Sequence, residues 1–162
     1  MCPSPSLSNT MERALVVLDD TDTHRDLLDE AVEIVRATGA ELELFSWVTP
    51  DEFEQDVEAL EAAGKAEGTT YSTASAHDIV RNFVDEVATD VFGNDVPEYD
   101  VSSAVAEDSA VADEILNAAE ASGCDHIFLV GRRRSPTGKV LFGDVAQQVI
   151  LNFDGHVTIT MD

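Results

Sequence analysis

The residues best suited to chemistry lie in one basic, glycine-rich segment, residues 131–145. Four of the chain's nine basic residues fall within eight positions of this segment, as Arg132, Arg133, Arg134 and Lys139. The segment leads into a helical pattern, and the start of a helix offers free backbone N–H groups and the positive end of the helix dipole. Arginine adds forked donors that suit phosphate. The segment therefore predicts an anion site; a basic loop that pairs with acidic surface is the alternative.

The acidic pair Asp19-Asp20 is the second feature with chemical potential, because it directly follows a short apolar run. In response-regulator receivers such a pair binds Mg²⁺, but that site also needs an acceptor aspartate on the third strand and a lysine ending the fifth. Here residues 105–108 read Val-Ala-Glu-Asp, and no lysine follows the last apolar run. The histidines are scattered without metal-type spacing, and His24 is expected to be exposed in a first helical turn. The residues thus support neither a dedicated catalytic function nor a metal site.

Short apolar runs alternate with helical patterns from residue 13 onward. The apolar runs predict strands at 14–18, 41–48, 101–106, 126–130 and 157–161. The helical spacing predicts four helices: from Thr23 to Gly39, around 79–91 up to Gly93, at 110–121, and around 145–150. Such alternation is typical of an α/β fold with a mainly parallel sheet, which binds ligands beyond the carboxyl ends of its strands. Those ends carry Asp19-Asp20, Trp47-Val48, Glu107-Asp108 and Gly131-Arg132, so we expect any site there.

The order of elements and the basic loop together resemble the universal stress protein (UspA) family over nearly all of residues 13–161. Residues 17–21, Val-Leu-Asp-Asp-Thr, are similar to the family's first strand ending in V-D-G-S. Residues 26–48 and 110–131 are similar to its helix–strand units, and the basic loop resembles its phosphate-binding pattern G-x2-G-x9-G-[ST]. The resemblance implies a Rossmann-like, open parallel sheet of five strands in the order 3-2-1-4-5, with helices on both faces.

A homodimer is also implied, because in the family the last strand pairs with its copy in a second subunit. Residues 156–161 would form this edge; their core, VTITM, is alternating, β-branched and uncharged, and an exposed edge of that kind tends to pair.

The resemblance further implies a set of nucleotide-binding residues. In ATP-binding members the aspartate closing the first strand and residues closing the second bind adenosine, while the glycine loop holds ribose and phosphates. By position, the candidates are Asp19, Thr21, Trp47, Gly131, Arg132, Arg133, Gly143, Asp144 and Val145. The position of Trp47 usually holds a small aliphatic residue, so its indole either stacks on adenine or fills the adenine pocket.

The basic loop departs from the family pattern at two positions. Arg134 stands where the family has its second glycine, and eight residues separate Arg134 from Gly143 where the family has nine. Asp144 stands at the Ser/Thr position, and an ionised carboxylate cannot donate a hydrogen bond to phosphate. Mg²⁺ bridging Asp144 and phosphate would offset the repulsion, whereas without it Asp144 is a good helix N-cap. We therefore expect weak or absent ATP binding in a regulatory protein; an ATP sensor with slow hydrolysis is the alternative.

The composition limits which partners can bind the chain and at what salt concentration it is expected to work. With 33 acidic and nine basic residues, the formal net charge is −24, which repels nucleic acid and anionic membrane. No apolar run reaches the roughly 18–20 residues of a spanning helix. Self-repulsion on this scale needs screening, and at about 1 M salt the Debye length falls to about 3 Å. We expect a salt-rich cytoplasm, as in halophiles; an ordinary acidic protein is the alternative.

The remaining segments set the domain boundaries. Residues 1–12 lack the basic start and apolar core of a signal peptide, so a disordered tail is expected before a single domain at 13–162. Cys2 and Cys124 lie far apart without metal-type spacing, which favours neither structural zinc nor a disulfide framework. Residues 49–73 interrupt the alternation and form either a solvated excursion or a lid over the site.

Overall fold

The computed structural model describes residues 12–51, 53–54, 73–131 and 144–161. Strands and helices alternate along these residues. They are β1 (Arg13–Val17), α1 (Asp22–Thr38), β2 (Glu41–Val48), α2 (Thr73–Phe92), β3 (Asp100–Val105), α3 (Val111–Ser122), β4 (His126–Gly131), α4 (Asp144–Asn152) and β5 (His156–Met161). Residues 1–11 of the predicted tail, most of the predicted excursion at 49–73, and residues 132–143 of the basic loop lie outside the described residues.

The five strands form one sheet in the order β3-β2-β1-β4-β5, and every neighbouring pair is parallel. This is the order expected from the sequence, and it confirms the predicted α/β class. The chain leaves β1 toward β2 on one side, while β4 lies on the other side of β1. The strand order therefore reverses between β1 and β4, and the carboxyl ends there are where a ligand is expected.

Helices cover both faces of the sheet and divide the core into two layers. On one face, α1 and α2 pack against a cluster that includes Val16 and Leu44. On the other face, α3 and α4 pack against a cluster that includes Leu15 and Phe45. Because β1 and β4 are buried on both faces, residues 14–17 and 127–130 are apolar without interruption, and this made the two strands recognisable in the sequence.

A polar network joins three strands at their amino ends, on the edge of the sheet opposite the expected site. Arg13 donates to Glu41 Oε1 at 3.0 Å, to Glu43 Oε1 at 2.5 Å and to Asp100 Oδ2 at 2.8 Å. Ser102 Oγ donates to the second carboxylate oxygen of Glu43. The Glu43 side chain is 5 % exposed, against 74 % for Glu41 and 71 % for Asp100. The hydrogen bond to Asp100, followed by those to the two glutamates, raises the pKa of Arg13 against the opposing effect of burial.

Two further sequence expectations concern Cys124 and the membrane. Cys124 is a buried free thiol, and burial raises its pKa to about 11, so the thiol is protonated at neutral pH. Within residues 12–51, 53–54, 73–131 and 144–161, no helix is both long enough and apolar enough to cross a bilayer.

Candidate functional site

A cleft of about 380 Å³ lies beyond the carboxyl ends of β1 and β2. Its walls come from the turn after β1, the end of β2 and one side of α2. The lining residues are Asp19, Asp20, Ser46, Trp47, Val48, Thr49, Ile79, Val80 and Phe83. The α2 wall is apolar and the turn after β1 is acidic. A cleft of this size and character suits a small organic molecule with a flat apolar body and a polar end.

Hydrogen bonds from both backbone and side-chain groups fix the turn that follows β1. Leu18 N donates to Phe45 O at 2.8 Å, and Ser46 Oγ donates to Leu18 O at 3.0 Å. The N–H of Asp20 donates to Asp19 Oδ1 at 2.8 Å, which orients that carboxylate. Asp19 is therefore held at the rim of the cleft by the chain itself, before any ligand binds.

Thr21 and His24 form a contact at this turn that the sequence did not predict. Thr21 is the N-cap of α1, since its Oγ1 accepts from His24 N at 3.1 Å, and the helix begins at Asp22. The start signal expected at Thr23 was therefore wrong, because the N-cap lies two residues earlier. His24 is 6 % exposed, not exposed as predicted, and its Nδ1 lies 2.6 Å from Thr21 Oγ1. The hydroxyl of Thr21 thus already serves the helix start.

The burial of His24 has a periodic cause. It lies three and four residues before Leu27 and Leu28, both fully buried, so the ring points to the same face of α1. That spacing was the signal available in the sequence. The polar ring of His24 is tolerated on this buried face of α1 because the Thr21 hydroxyl, one turn away, contacts its Nδ1.

Trp47 is half-buried at the end of β2. Its ring stacks on that of Phe45, with centroids 6.3 Å apart and planes inclined by 24°. Both side chains belong to the layer covered by α3 and α4, whereas Val48 belongs to the layer covered by α1 and α2. Part of the Trp47 indole is therefore packed against the core. A bound base could stack only on the solvent-exposed part of the ring.

The structure brings several of the predicted site residues to the same edge of the sheet. Asp19 and Trp47 line the cleft. Gly131 ends β4, and Val145 lies in the first turn of α4, in the same core layer as Trp47. Asp144 is the first residue of α4. Arg132, Arg133 and Gly143 lie outside the described residues, so the phosphate-binding part of the prediction stays a prediction.

The surface beside the cleft is acidic. A second cleft of about 590 Å³ shares Asp20 and Phe83 with the first and is otherwise lined mainly by α2, including three acidic residues, Asp85, Glu86 and Asp90. Its basic lining residue, Arg25, donates to Asp20 at 3.2 Å and to Asp90 at 3.3 Å. A phosphate placed here would compete with these carboxylates for Arg25. Among the described residues, no group of three or more His, Cys, Asp or Glu side chains is arranged to hold a metal ion.

Comparison with known proteins identifies similar sequences and folds. The model of the universal stress protein family matches residues 10–160. A universal stress protein solved in complex with cAMP is 17 % identical with a TM-score of 0.59, covering 94 % of this chain and 98 % of that one. Universal stress protein UspA from Lactobacillus plantarum is 21 % identical with a TM-score of 0.57, covering 91 % and 96 %. The universal stress protein from Archaeoglobus fulgidus in complex with dAMP is 19 % identical with a TM-score of 0.53, covering 91 % and 96 %. No curated protein matches the chain.

Proposed function

The chain belongs to the universal stress protein family, and from this premise we propose that it is a non-catalytic, regulatory stress-response protein. It acts as a homodimer in a salt-rich cytoplasm, with its fold domain at residues 13–162. It binds an adenine nucleotide weakly because its phosphate-binding loop is degenerate. The observation that carries the proposal is the cleft of about 380 Å³, which has an apolar wall from α2 and acidic surroundings that suit a phosphate chain poorly.

The cleft supports binding of the nucleoside part. It has an apolar wall from Ile79, Val80 and Phe83, and the turn after β1 contributes the Asp19 carboxylate, which is oriented by Asp20 N. An apolar wall suits a base, and a carboxylate accepts from ribose hydroxyls or a base amino group. The relatives solved with cAMP and dAMP both hold an adenine nucleotide, which is consistent with this chemistry.

The charges around the cleft oppose binding of the phosphate part. Asp20 lines both clefts, and Arg25 is already shared by two carboxylates. Asp144 is the first residue of α4, and an acidic residue in the first turn of a helix adds a negative charge where a phosphate would otherwise use the helix dipole. A negative charge about 5 Å from a phosphate charge costs on the order of 3 kcal/mol at an effective dielectric constant of about 20. Tight binding of a triphosphate is therefore not expected.

The second candidate function is an ATP sensor with slow hydrolysis. It is favoured by the nucleotides bound to the two relatives and by the four basic residues of the loop. In that case Mg²⁺ would bridge Asp144 and the phosphates, and the charges that oppose binding in the first candidate would become ligands.

Replacing Asp144 with serine separates these candidates. We expect Asp144→Ser to bind ATP at least about tenfold more tightly than the wild type, since it removes a repulsive charge and restores a hydroxyl donor. Isothermal titration calorimetry at one fixed KCl concentration, with and without Mg²⁺, measures the effect. Mass spectrometry of nucleotide co-purified from molar KCl identifies the natural ligand.

The matched control is Asp154→Ser, which changes the net charge equally from an exposed position beyond the other end of α4. It should leave ATP affinity unchanged.

Weaker binding in Asp144→Ser, together with loss of wild-type binding in EDTA, would establish the Mg²⁺ arrangement. Equal affinities in wild type and Asp144→Ser would show that the loop is not a degenerate phosphate site. If Arg132→Ala with Arg133→Ala then lowers stability, the loop pairs with acidic surface.

The homodimer is supported by the surface around β5. This strand is an edge of the sheet, and its residues after His156 are half-buried. On α4, which packs on the same layer as β5, Leu151 is 72 % exposed and Ile150 is 40 % exposed. A strand edge that no other described strand covers, beside exposed apolar side chains, is a surface that a second copy would cover.

Replacing Leu151 with glutamate tests this interface without touching the core. A two-fold axis would bury two copies of Leu151, each worth about 1.5 kcal/mol or more, so we expect the dimer dissociation constant to rise at least about a hundredfold. Thr158→Pro, which removes a ladder donor from β5, should also yield monomer or unfolded chain.

Light scattering coupled to size exclusion, at micromolar protein and fixed KCl, measures both variants. The control is Ile34→Glu, which introduces the same charge at a partly exposed position on α1 (39 % exposed). A monomeric wild type would contradict the dimer, and a dimer unaffected by Leu151→Glu would place the interface elsewhere.

A further inference from the structure

A pair of histidines joins β5 to the rest of the sheet. His126 on β4 and His156 on β5 are register partners, and their rings stack with centroids 5.7 Å apart. The His126 ring also stacks on Phe128 at 4.6 Å, and its Nε2 lies 2.7 Å from Thr158 Oγ1. Two of these three contacts of the His126 ring are with β5, and the third is with Phe128 on β4.

These contacts favour an uncharged His126. Burial and then the neighbouring His156 lower the pKa of His126, while Asp125 opposes them. When both rings are protonated, two positive charges face each other across the β4–β5 pair, and one of them is partly removed from water. The strand that can relieve this repulsion by moving is β5, since among the described strands it pairs with β4 alone.

Among the described residues, the charged groups that act on His126 are His156 and Asp125. On β1, the register partner of His126 is Ala14, which is uncharged. On α1, which packs over this face, the residues buried against the sheet are apolar apart from His24, at the other end of the helix. Asp125 precedes β4 and its carboxylate accepts from Glu12 N at 3.0 Å and from Arg13 N at 3.2 Å, so it is already engaged with β1.

We propose that His126 and His156 form a pH-sensitive latch that holds β5 on the sheet and so controls assembly with a second copy. The part concerning assembly rests on the proposed homodimer; the latch itself does not. A base whose folded pKa lies below its ordinary value of 6.5 contributes stability that is complete above that pH. The contribution is lost as the pH falls below 6.5 toward the lowered value, so acid should release β5 and the dimer.

The experiment compares wild type with His126→Gln, whose amide can still hydrogen-bond to Thr158 but takes up no proton. Sedimentation measures the dimer dissociation constant at pH about 7.5 and about 5.5, in fixed KCl. We expect the wild-type constant to rise about tenfold on acidification and that of His126→Gln to change less than about twofold. The control His77→Gln removes a histidine that hydrogen-bonds Ser103 near the opposite edge of the sheet, and should behave as wild type.

Hydrogen exchange distinguishes failure of the latch from failure of the dimer. If the wild type is monomeric at pH about 7.5, the homodimer is wrong, and amide exchange of β5 then tests the latch in the monomer. After correction for intrinsic rates, protection of β5 should fall about tenfold on acidification in wild type and stay constant in His126→Gln. Equal pH dependence in the two proteins would overturn the latch. Should His126→Gln fail to fold, His156→Gln, altered at an exposed position, replaces it with the same expected result.

Discussion

Replacing Arg13 with methionine is expected to lower the free energy of unfolding by about 3–5 kcal/mol, because it leaves the buried Glu43 carboxylate without its cation. Methionine keeps most of the aliphatic volume, so the loss reports the charge rather than a cavity. Glu43 would retain the hydrogen bond from Ser102, which is too little to solvate a carboxylate that is 5 % exposed. Chemical denaturation at about 2 M KCl, followed by circular dichroism, measures the loss.

The matched control for Arg13→Met is Glu41→Gln, which removes a second carboxylate from the same arginine. Glu41 is 74 % exposed, so its ion pair should contribute less than about 1 kcal/mol. The double variant Arg13→Met with Glu43→Leu replaces the buried pair with apolar side chains and should recover most of the stability. If Arg13→Met and Glu41→Gln lowered the free energy of unfolding by similar amounts, the burial of Glu43 would not contribute to the cost of losing Arg13.

Lowering the salt is the second change for which we expect a large effect. Between about 3 M and about 0.1 M KCl, the Debye length grows from less than about 3 Å to about 10 Å, and repulsion among 24 net negative charges is no longer screened. On α1, Asp26, Asp29, Glu30 and Glu33 are all exposed at spacings that bring like charges together. We expect the melting temperature to fall by at least about 10 °C, which corresponds to about 3 kcal/mol or more.

Circular dichroism melts across this KCl range test the expectation. Asp29→Lys combined with Glu33→Lys reduces the repulsion on α1 without touching its buried face, so this variant should depend less on salt than the wild type. A wild-type melting temperature that stays constant across the range would contradict a salt-rich setting and favour an ordinary acidic protein.

Most of the fold could be predicted because it depends on local patterns. The uninterrupted apolar runs of β1 and β4 indicated strands buried on both faces, and glycines after α1 and α3 indicated helix ends. Gly39 and Gly123 indeed follow these helices with φ of 75° and 71°. The start of α1 was misjudged because Thr21 and Thr23 are both acceptable caps, and only the phase of the helix distinguishes them.

The polar network and the histidine pair could not be predicted from local patterns. Arg13 meets Glu41, Glu43 and Asp100 across separations of 28, 30 and 87 residues. Those contacts require both the strand order and the register, and a slip of one residue would turn each side chain to the other face. His126 and His156 likewise meet only because β4 and β5 pair in one register. The positions of Asp19 and Trp47 followed more directly, since parallel strands end at a common edge.

The position of the Arg13 network has a consequence for how this protein can change over evolution. The network ties β1, β2 and β3 together at their amino ends, whereas the cleft lies at the carboxyl ends, roughly 15–20 Å away along strands of this length. Substitutions that reshape the carboxyl ends of the strands therefore leave the Arg13 network intact. Residues at the carboxyl ends can therefore change while these polar restraints on the fold are kept. For protein engineering, the carboxyl edge is accordingly the end to diversify and Arg13 and Glu43 are the residues to keep.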